Sequence, residues 1–179
     1  MAPITYRPFV PADLPHIRDI DRSERIGVIY IQHGTRLEER HGNFDSPNWR
    51  TEGDGEHTYA GQQAHIEELL GSGGIALGAF DGDRLAGIIV LVQHLRPGIA
   101  QLAHLQVSNG YRARGIGKRL SEDLDRIARE GGDTEIVVSA TPSQNTVRFY
   151  MGRGYQPMAE PFPELFALEP EDIHLHKKL

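Results

Sequence analysis

The chain has no cysteine among its 179 residues. Disulfides, thiolate metal sites and a cysteine nucleophile are therefore excluded. No stretch approaches the roughly 18 apolar residues that a membrane-spanning helix requires. The first residues also lack the basic and apolar segments of a secretory signal. We therefore expect a cytoplasmic protein with no membrane partner.

Basic residues are fewer than acidic ones: the chain has 19 Lys and Arg and 25 Asp and Glu, which gives a net charge of −6. Nonspecific nucleic-acid binding depends on neutralising phosphates with basic side chains, so this balance disfavours a nucleic-acid partner. The same balance favours cationic partners.

A regular metal-ligand pattern is also missing. Candidate ligands occur in the Gly- and Asp-rich segment 41–57, at irregular spacing: His41, Asp45, Asp54, Glu56 and His57. Metal sites need ligands that converge with defined geometry, and this spacing predicts none. We therefore expect no metal.

The most informative stretch runs from His104 to Leu120. An apolar, β-prone run is followed by a polar turn, and the glycines Gly115 and Gly117 then open an amphipathic helix. A helix start leaves about four backbone N–H groups without partners and carries roughly half a positive charge. This order of strand, loop and helix favours an anion such as phosphate at the helix start.

Basic side chains reinforce that preference, because Arg112, Arg114 and Lys118 lie at the same end of the helix. Phosphate would neutralise charges that otherwise oppose the helix dipole. The spacing matches neither a P-loop nor a dinucleotide-binding fingerprint. A glycine turn before an ordinary surface helix remains the structural alternative at this point.

The segment from Arg112 to Gly117 resembles the Arg/Gln-x-x-Gly-x-Gly/Ala loop of the GNAT superfamily of N-acetyltransferases. The likeness extends to the preceding strand, which ends in Leu105-Gln106-Val107. It also includes the segment 145–155, in which an Asn, then Phe-Tyr, then Gly-aromatic follow one another. The resemblance implies that acetyl-CoA is the cosubstrate, with its pyrophosphate bound by the loop.

The whole pattern predicts a single α/β domain over residues 1–179, with helices on both faces of a mixed, mostly antiparallel sheet. A hairpin around Asp81-Gly82, a third strand at 99–107 and a crossover helix lead to a parallel strand at 135–140. In the GNAT family this parallel pair splays apart to admit the pantetheine arm. A second helix is predicted within 25–39, a last helix from Thr141, a linking segment at 161–170 and a final strand from Asp172.

The resemblance also assigns roles to individual residues. It makes Tyr150 the proton donor to the leaving thiolate and the Val107 N–H the oxyanion donor. The residues that it implies for cofactor binding are Leu105, Val107, Arg112, Ala113, Arg114, Gly115, Ile116, Gly117, Lys118 and Asn145. The alternatives are ordinary strand pairing at Leu105 and Val107, a core aromatic at Tyr150 and a helix-start turn at Asn145.

No general base is evident. Some relatives place a glutamate where this chain has Gln101, and glutamine does not accept a proton. The titratable candidates are His94, His104 and Glu24, with structural histidines or a water chain as alternatives. Strand alternation predicts that His104 faces away from Gln101.

The sequence thus predicts an N-acetyltransferase for a small-molecule or peptide primary amine. Residues 25–70 are expected on the acceptor side, where acidic residues favour a cationic acceptor unless they are merely solvated: Glu38, Glu39, Asp45, Glu52, Asp54 and Glu56. A noncatalytic acyl-CoA-binding or sensor domain is the alternative, supported by Gln101. The resemblance also allows a homodimer.

Overall fold

The computed structural model describes residues 3–179 and contains a seven-stranded sheet and a separate two-stranded hairpin. The strands are β1 (Thr5–Pro8), β2 (Val28–His33), β3 (Arg36–His41), β4 (Ile75–Asp81), β5 (Arg84–Arg96), β6 (Ile99–Val107), β7 (Glu135–Ala140), β8 (Gln156–Pro157) and β9 (Ile173–Lys178). The helices are α1 (Tyr59–Gly71), α2 (Ile116–Glu130), α3 (Gln144–Met151) and α4 (Pro163–Leu168), with 3₁₀ helices at Pro11–Asp19 and Asn109–Tyr111. The predicted single domain begins at Met1, and its first two residues lie outside the described range.

The main sheet has the order β1-β4-β5-β6-β7-β9-β8, and the pairing between β6 and β7 is parallel. Every other pairing within the part of the sheet that the structure describes is antiparallel. The predicted hairpin around Gly82 joins β4 to β5, and α2 provides the predicted crossover between β6 and β7. The predicted fold class is therefore confirmed.

Alternating side chains of β5 build a hydrophobic core on each face of the sheet. Ile89 and Leu91 pack on the face that α2 and α3 cover. Ile88 and Val90 pack on the opposite face, with α1 and the first 3₁₀ helix. Because apolar residues line both faces, the central strand reads as a continuous apolar run.

The predicted helix within residues 25–39 is wrong, since this segment forms most of the β2–β3 hairpin. Val28-Ile29-Tyr30-Ile31 is a β-branched and aromatic run, which favours a strand. Gly34, with φ of 60°, provides the tight turn between the two strands. The charges of β3 disguised this pairing in the sequence.

The C-terminal part also differs from the prediction. The helix expected from Thr141 begins at Gln144, because Ser143 is its N-cap and accepts a hydrogen bond from the Thr146 N–H. It is not the last helix, since α4 lies within the predicted linking segment. The short strand β8 was not predicted, whereas the final strand β9 was.

The charged face of α2 forms different pairs from those that its spacing suggests. The i,i+4 spacing places Glu122 beside Arg126 and Asp125 beside Arg129. Instead, Asp125 pairs with Lys177 of β9 at 2.5 Å. Arg126 pairs with Glu130 at 3.1 Å, so tertiary contacts and local geometry override the expected choice. Among residues 3–179, no helix has the length and apolarity to cross a membrane.

Candidate active site

A gap opens in the middle of the main sheet, because the parallel pair β6–β7 separates after a short contact. The two strands are in register only from Ile99↔Glu135 to Gln101↔Val137. Beyond that point β6 stays paired with β5 as far as Val107, while β7 stays paired with β9 as far as Ala140. The carboxyl ends of the two strands therefore diverge.

Backbone groups of β6 face this gap. The Ser108 N–H donates to the Ala86 carbonyl at 2.9 Å, so this position bonds to the β5 side. In an antiparallel ladder the bonding direction alternates along the strand, which turns the backbone groups of Leu105 and Val107 away from β5. The pairing of β6 with β7 ends at Gln101. The N–H groups of Leu105 and Val107 therefore point into the gap without a ladder partner.

The loop between β6 and α2 presents a second set of free donors. The Arg119 N–H donates to the Gly115 carbonyl at 3.0 Å and begins the regular bonding of α2. The six amides from Ala113 to Lys118 have no hydrogen-bond acceptor among residues 3–179. Such a row at the positive end of a helix suits a diphosphate.

Two residues of this loop have left-handed backbone conformations, Ala113 with φ of 59° and Gly115 with φ of 79°. Gly115 is the N-cap of α2, and no atom lies within 4 Å of the position that a Cβ would occupy there. The backbone is therefore open to a ligand at this point. Gly117 fits more tightly, because an added Cβ would lie 3.2 Å from the Phe149 ring.

The basic side chains of the loop have different surroundings. All three nitrogen groups of the Arg112 guanidinium donate to backbone carbonyls, to Val107 at 3.1 Å, Ser23 at 2.9 Å and Arg22 at 3.0 Å. Arg112 therefore holds the loop in place through three of its five guanidinium N–H groups. Arg114 lies over the Tyr111 ring at 5.1 Å and makes no hydrogen bond within the described chain.

Residues 21–24 lie across the open end of the gap. The Asn109 N–H donates to the Asp21 carbonyl at 2.7 Å on the β6 side. On the α3 side, Asn145 donates its side-chain N–H to a Glu24 carboxylate oxygen at 2.9 Å. This segment therefore brings Glu24 to the mouth of the gap, where it engages the side chain of Asn145.

Tyr150 lies in the core beside the gap, with 4% of its surface exposed. Its ring is 5.3 Å from the rings of Phe149 and Tyr155. Burial raises the pKa of Tyr150, and the Asp172 carboxylate raises this pKa further. The Tyr155 hydroxyl is fully buried and has no hydrogen-bond partner. The Tyr150 hydroxyl is not fully buried. Tyr150 thus presents a protonated phenol at neutral pH.

The prediction that His104 faces away from Gln101 is wrong. The register passes from Val90↔His104 to Leu91↔Leu102, so Ala103 is the extra residue of a β-bulge. A bulge reverses the alternation, and His104 and Gln101 therefore share the α1 face of the sheet. Sequence spacing alone carries no signal for this extra residue.

His104 is partly buried and its ring lies 6.1 Å from the ring of His65 on α1. Burial, and secondly His65, lower the pKa of His104 to about 4. The imidazole is therefore neutral at physiological pH. His94, by contrast, pairs with Asp133 at 2.9 Å and lies near the turn that precedes β6, at the end opposite the gap.

The acidic residues expected on the acceptor side are mostly exposed and several have local partners. Glu38 pairs with His33 at 3.1 Å and Glu39 accepts a hydrogen bond from the Tyr30 hydroxyl at 3.2 Å. Asp45 accepts the Ile26 N–H at 2.8 Å. In the described chain, no three His, Asp or Glu side chains converge as a metal site would require.

The sequence does not indicate the role of one acidic residue that acts on Tyr150. Asp172 precedes β9 and influences the pKa of Tyr150 across the fold. The acidic run Glu169-Pro170-Glu171-Asp172 was the available signal. The pattern predicts only a linker and the start of a strand there, because the run is distant in sequence from the loop between β6 and α2.

A family model described as "Acetyltransferase (GNAT) domain" matches residues 52–164. Among curated proteins, N-acetyltransferase 8B of Rattus norvegicus is 36% identical over 66 residues, which span 36% of this chain and 30% of that protein. N-acetyltransferase 8F1 of Rattus norvegicus is 30% identical over 93 residues, which span 49% of this chain and 42% of that protein. The matches thus cover less than half of these relatives' own length.

Solved structures share the fold over nearly the whole chain. Nourseothricin acetyltransferase superposes with a TM-score of 0.73 at 16% identity, over 99% of each chain. The PaiA N-acetyltransferase of Thermoplasma acidophilum, in complex with coenzyme A, gives a TM-score of 0.65 at 18% identity, over 99% of this chain and 100% of that chain. A Bacillus anthracis str. Ames protein in complex with acetyl coenzyme A gives 0.73 at 18% identity, over 99% of each chain.

Proposed function

Because this chain belongs to the GNAT acetyltransferase family, we propose that it moves an acetyl group from acetyl-CoA to a primary amine by direct attack within a ternary complex. The strongest support is a row of backbone N–H donors without partners that lies next to the gap in the sheet. The six unpartnered amides from Ala113 to Lys118 lead directly to the gap between β6 and β7. The curated relatives carry N-acetyltransferase names, which agrees with an amine acceptor.

The loop residues supply the binding site for the cosubstrate. In this proposal, the backbone amides from Ala113 to Lys118 hold the diphosphate, Arg112 fixes the loop that presents them, and Arg114 and Lys118 add side-chain charge. The Leu105 and Val107 backbone groups pair with the pantetheine arm in the gap. When bound, acetyl-CoA supplies an acetyl thioester with a good thiolate leaving group.

Two groups stabilise the charges that develop during transfer. The Val107 N–H serves as a donor to the carbonyl oxygen as negative charge forms there, as in an oxyanion hole. The Tyr150 hydroxyl donates a hydrogen bond or a proton to the departing thiolate. Its raised pKa keeps the proton in place at neutral pH, so the phenol is ready as a donor.

The amine must lose a proton before it attacks, because an alkylammonium has a pKa of about 10. Glu24 at the mouth of the gap is the acceptor that we propose, directly or through water. His104 on the α1 face is the weaker candidate, because a pKa lowered to about 4 makes its imidazole a poor base. Gln101 does not take this role. Asn145 contributes by holding Glu24 and by lining the cofactor side of the opening.

Residues 25–70 form the acceptor side in this proposal, with a small-molecule or peptide amine entering opposite the cofactor loop. A noncatalytic acyl-CoA-binding or sensor domain is the second candidate, and Gln101 in place of an acidic base favours it. The two functions make different predictions about turnover, since only the enzyme releases free CoA thiol when an amine is added.

The test is a thiol-release assay with acetyl-CoA and a broad amine panel: polyamines, arylalkylamines, peptides with free N-termini and nourseothricin. The enzyme proposal predicts amine-dependent thiol release and an acetylated product of the expected mass. Acetyl-CoA binding by calorimetry without turnover across the panel would support the sensor. Absence of acetyl-CoA binding would reject both functions.

A further inference from the structure

A cavity of about 520 Å³ lies between the β2–β3 hairpin and the segment that leads into β9. Its walls are mainly apolar and come from three separate parts of the chain: Ile29, Tyr30, Ile31, Pro142 and Phe166. The cavity is large enough for a small organic molecule. The apolar walls favour a ligand with an aliphatic or aromatic group.

The polar side chains of the cavity are already paired, except for its two carboxylates, the exposed Glu171 and the partly buried Asp172. Gln32 donates to the Met158 carbonyl at 2.9 Å and accepts the His174 N–H at 2.8 Å. The His174 ring contacts the Ser139 hydroxyl at 3.2 Å and the Glu169 carbonyl at 3.0 Å. The partly buried Asp172 carboxylate makes no hydrogen bond or ion pair with residues 3–179.

The charge of the cavity is negative. Glu171 and Asp172 line it, and no Lys or Arg is among its lining residues. A carboxylate removed from water is stabilised by a cation that enters beside it. Burial, with Glu169 and Glu171 as further causes, raises the pKa of Asp172 to about 7. A positively charged ligand would reverse this rise.

The cavity lies next to the proposed catalytic groups. The Tyr30 N–H donates to the Pro142 carbonyl at 2.9 Å, which fixes the hairpin against the start of α3. Tyr30 also packs against the core cluster that contains Tyr150. Because the Asp172 carboxylate contributes to the raised pKa of Tyr150, the two side chains are within electrostatic reach.

We propose that this cavity is the acceptor site, and that Asp172 binds the ammonium group of a primary amine that carries an aromatic or branched apolar body. The inference rests on the proposed acetyltransferase function and identifies its acceptor class. Apolar walls select the body of the acceptor, and the unpaired carboxylate selects its charge. Asp172 thereby determines specificity, whereas transfer depends on the groups at the gap.

The test uses 2-phenylethylamine as the probe and 2-phenylethanol as its uncharged counterpart. Binding of each is measured by calorimetry to the protein saturated with coenzyme A. Asp172→Asn removes the charge with little change in shape, and Asp172→Glu restores it. Glu160→Gln is the matched control, because Glu160 is exposed and lies outside the cavity lining.

We expect the amine to bind wild type and Glu160→Gln alike, and to bind Asp172→Asn about tenfold more weakly or worse, as loss of a charged hydrogen bond implies. Asp172→Glu should recover part of the affinity, and 2-phenylethanol should not distinguish the variants. Equal amine affinity for wild type and Asp172→Asn would overturn the inference. Failure of wild type to bind the amine at millimolar concentration would also overturn it.

The same preparations separate this inference from the proposed function. Acetyl-CoA binding and thiol release depend on the loop and the gap, and they are measured independently of probe affinity. Charge-dependent amine binding without any acetyl transfer would reject the catalytic function and leave Asp172 as an amine-binding residue. If wild type and Asp172→Asn transfer acetyl groups at the same rate, Asp172 is not the acceptor-binding residue and the catalytic function stands.

Discussion

Two arginines in the same short loop have different structural roles. Arg112 donates to the carbonyls of Arg22, Ser23 and Val107, whereas Arg114 makes no hydrogen bond within the described residues. We expect Arg112→Ala to reduce the free energy of unfolding by about 1–3 kcal/mol, because it leaves three partly buried acceptors without their protein donor. Arg114→Ala should leave stability nearly unchanged and weaken acetyl-CoA binding.

Urea denaturation and calorimetry at two salt concentrations measure these two effects. The affinity of wild type for acetyl-CoA should depend on salt more steeply than that of Arg114→Ala, since salt screens an exposed charge. The assignment of roles is wrong if Arg114→Ala unfolds more easily than Arg112→Ala. It is also wrong if Arg114→Ala binds acetyl-CoA as tightly as wild type.

Tyr150 has a near neighbour that serves as its control. Tyr150→Phe should lower kcat about 100-fold or more, in the range for loss of a general acid, and leave acetyl-CoA affinity nearly intact. Tyr155→Phe should retain activity and stability, because the Tyr155 hydroxyl is buried without a partner and contributes no hydrogen bond. Steady-state thiol release and acetyl-CoA calorimetry on both variants provide the test. Full activity of Tyr150→Phe would remove Tyr150 from the mechanism.

The start of α2 depends on a left-handed glycine. Gly115 has φ of 79°, whereas Gly110 of the same connection has no positive φ, and an added Cβ meets no atom within 4 Å at either position. Gly115→Ala should therefore cost about 1–2 kcal/mol of folding free energy from backbone strain alone. Gly110→Ala should cost much less. Chemical denaturation measures the free energy of unfolding of the two variants. Equal values would show that the left-handed conformation of Gly115 does not matter for stability.

The first 3₁₀ helix is held by an ion pair with a predictable pH dependence. Both Arg7 guanidinium NH₂ groups donate to Asp13 at 2.8 Å, and this pairing lowers the pKa of Asp13 to about 2. The lowered value stabilises the fold above the unfolded pKa of about 3.9, by about 2 kcal/mol. That contribution disappears as the pH falls through about 2.

Asp13→Asn should accordingly destabilise the protein at pH 7 and have a much smaller effect near pH 2. Urea denaturation across this pH range measures the difference between wild type and variant. A difference that stays constant between pH 7 and pH 2 would show that the ionised carboxylate is not responsible.

Strong local patterns explain why many elements were predicted from the sequence. The hairpin turn at Gly82, the apolar stripe of α2 and the apolar run of β7 each contain enough local information. The β2–β3 hairpin was mistaken for a helix because its charged strand shows no clear alternation. The bulge at Ala103 depends on pairing with β5, so alternation along β6 alone misplaced His104.

For the molecule as a whole, the gap and the loop between β6 and α2 were predictable because they follow one another in the sequence and carry a family pattern. The position of Asp172 was not, since it reaches the neighbourhood of Tyr150 only through the tertiary fold. Glu24 was a candidate from the sequence, but its contact with Asn145 also depends on the tertiary fold. The structural role of Arg112 was hidden for the same reason, because two of its acceptors come from residues 22–23.

In the proposed function, the free amides at the start of α2 bind the phosphates of acetyl-CoA. Hydrogen–deuterium exchange, read amide by amide with and without saturating coenzyme A, tests it most directly. We predict that exchange slows for the amides from Ala113 to Lys118 and for Leu105 and Val107. Unchanged exchange at these amides, while coenzyme A is bound, would contradict the account.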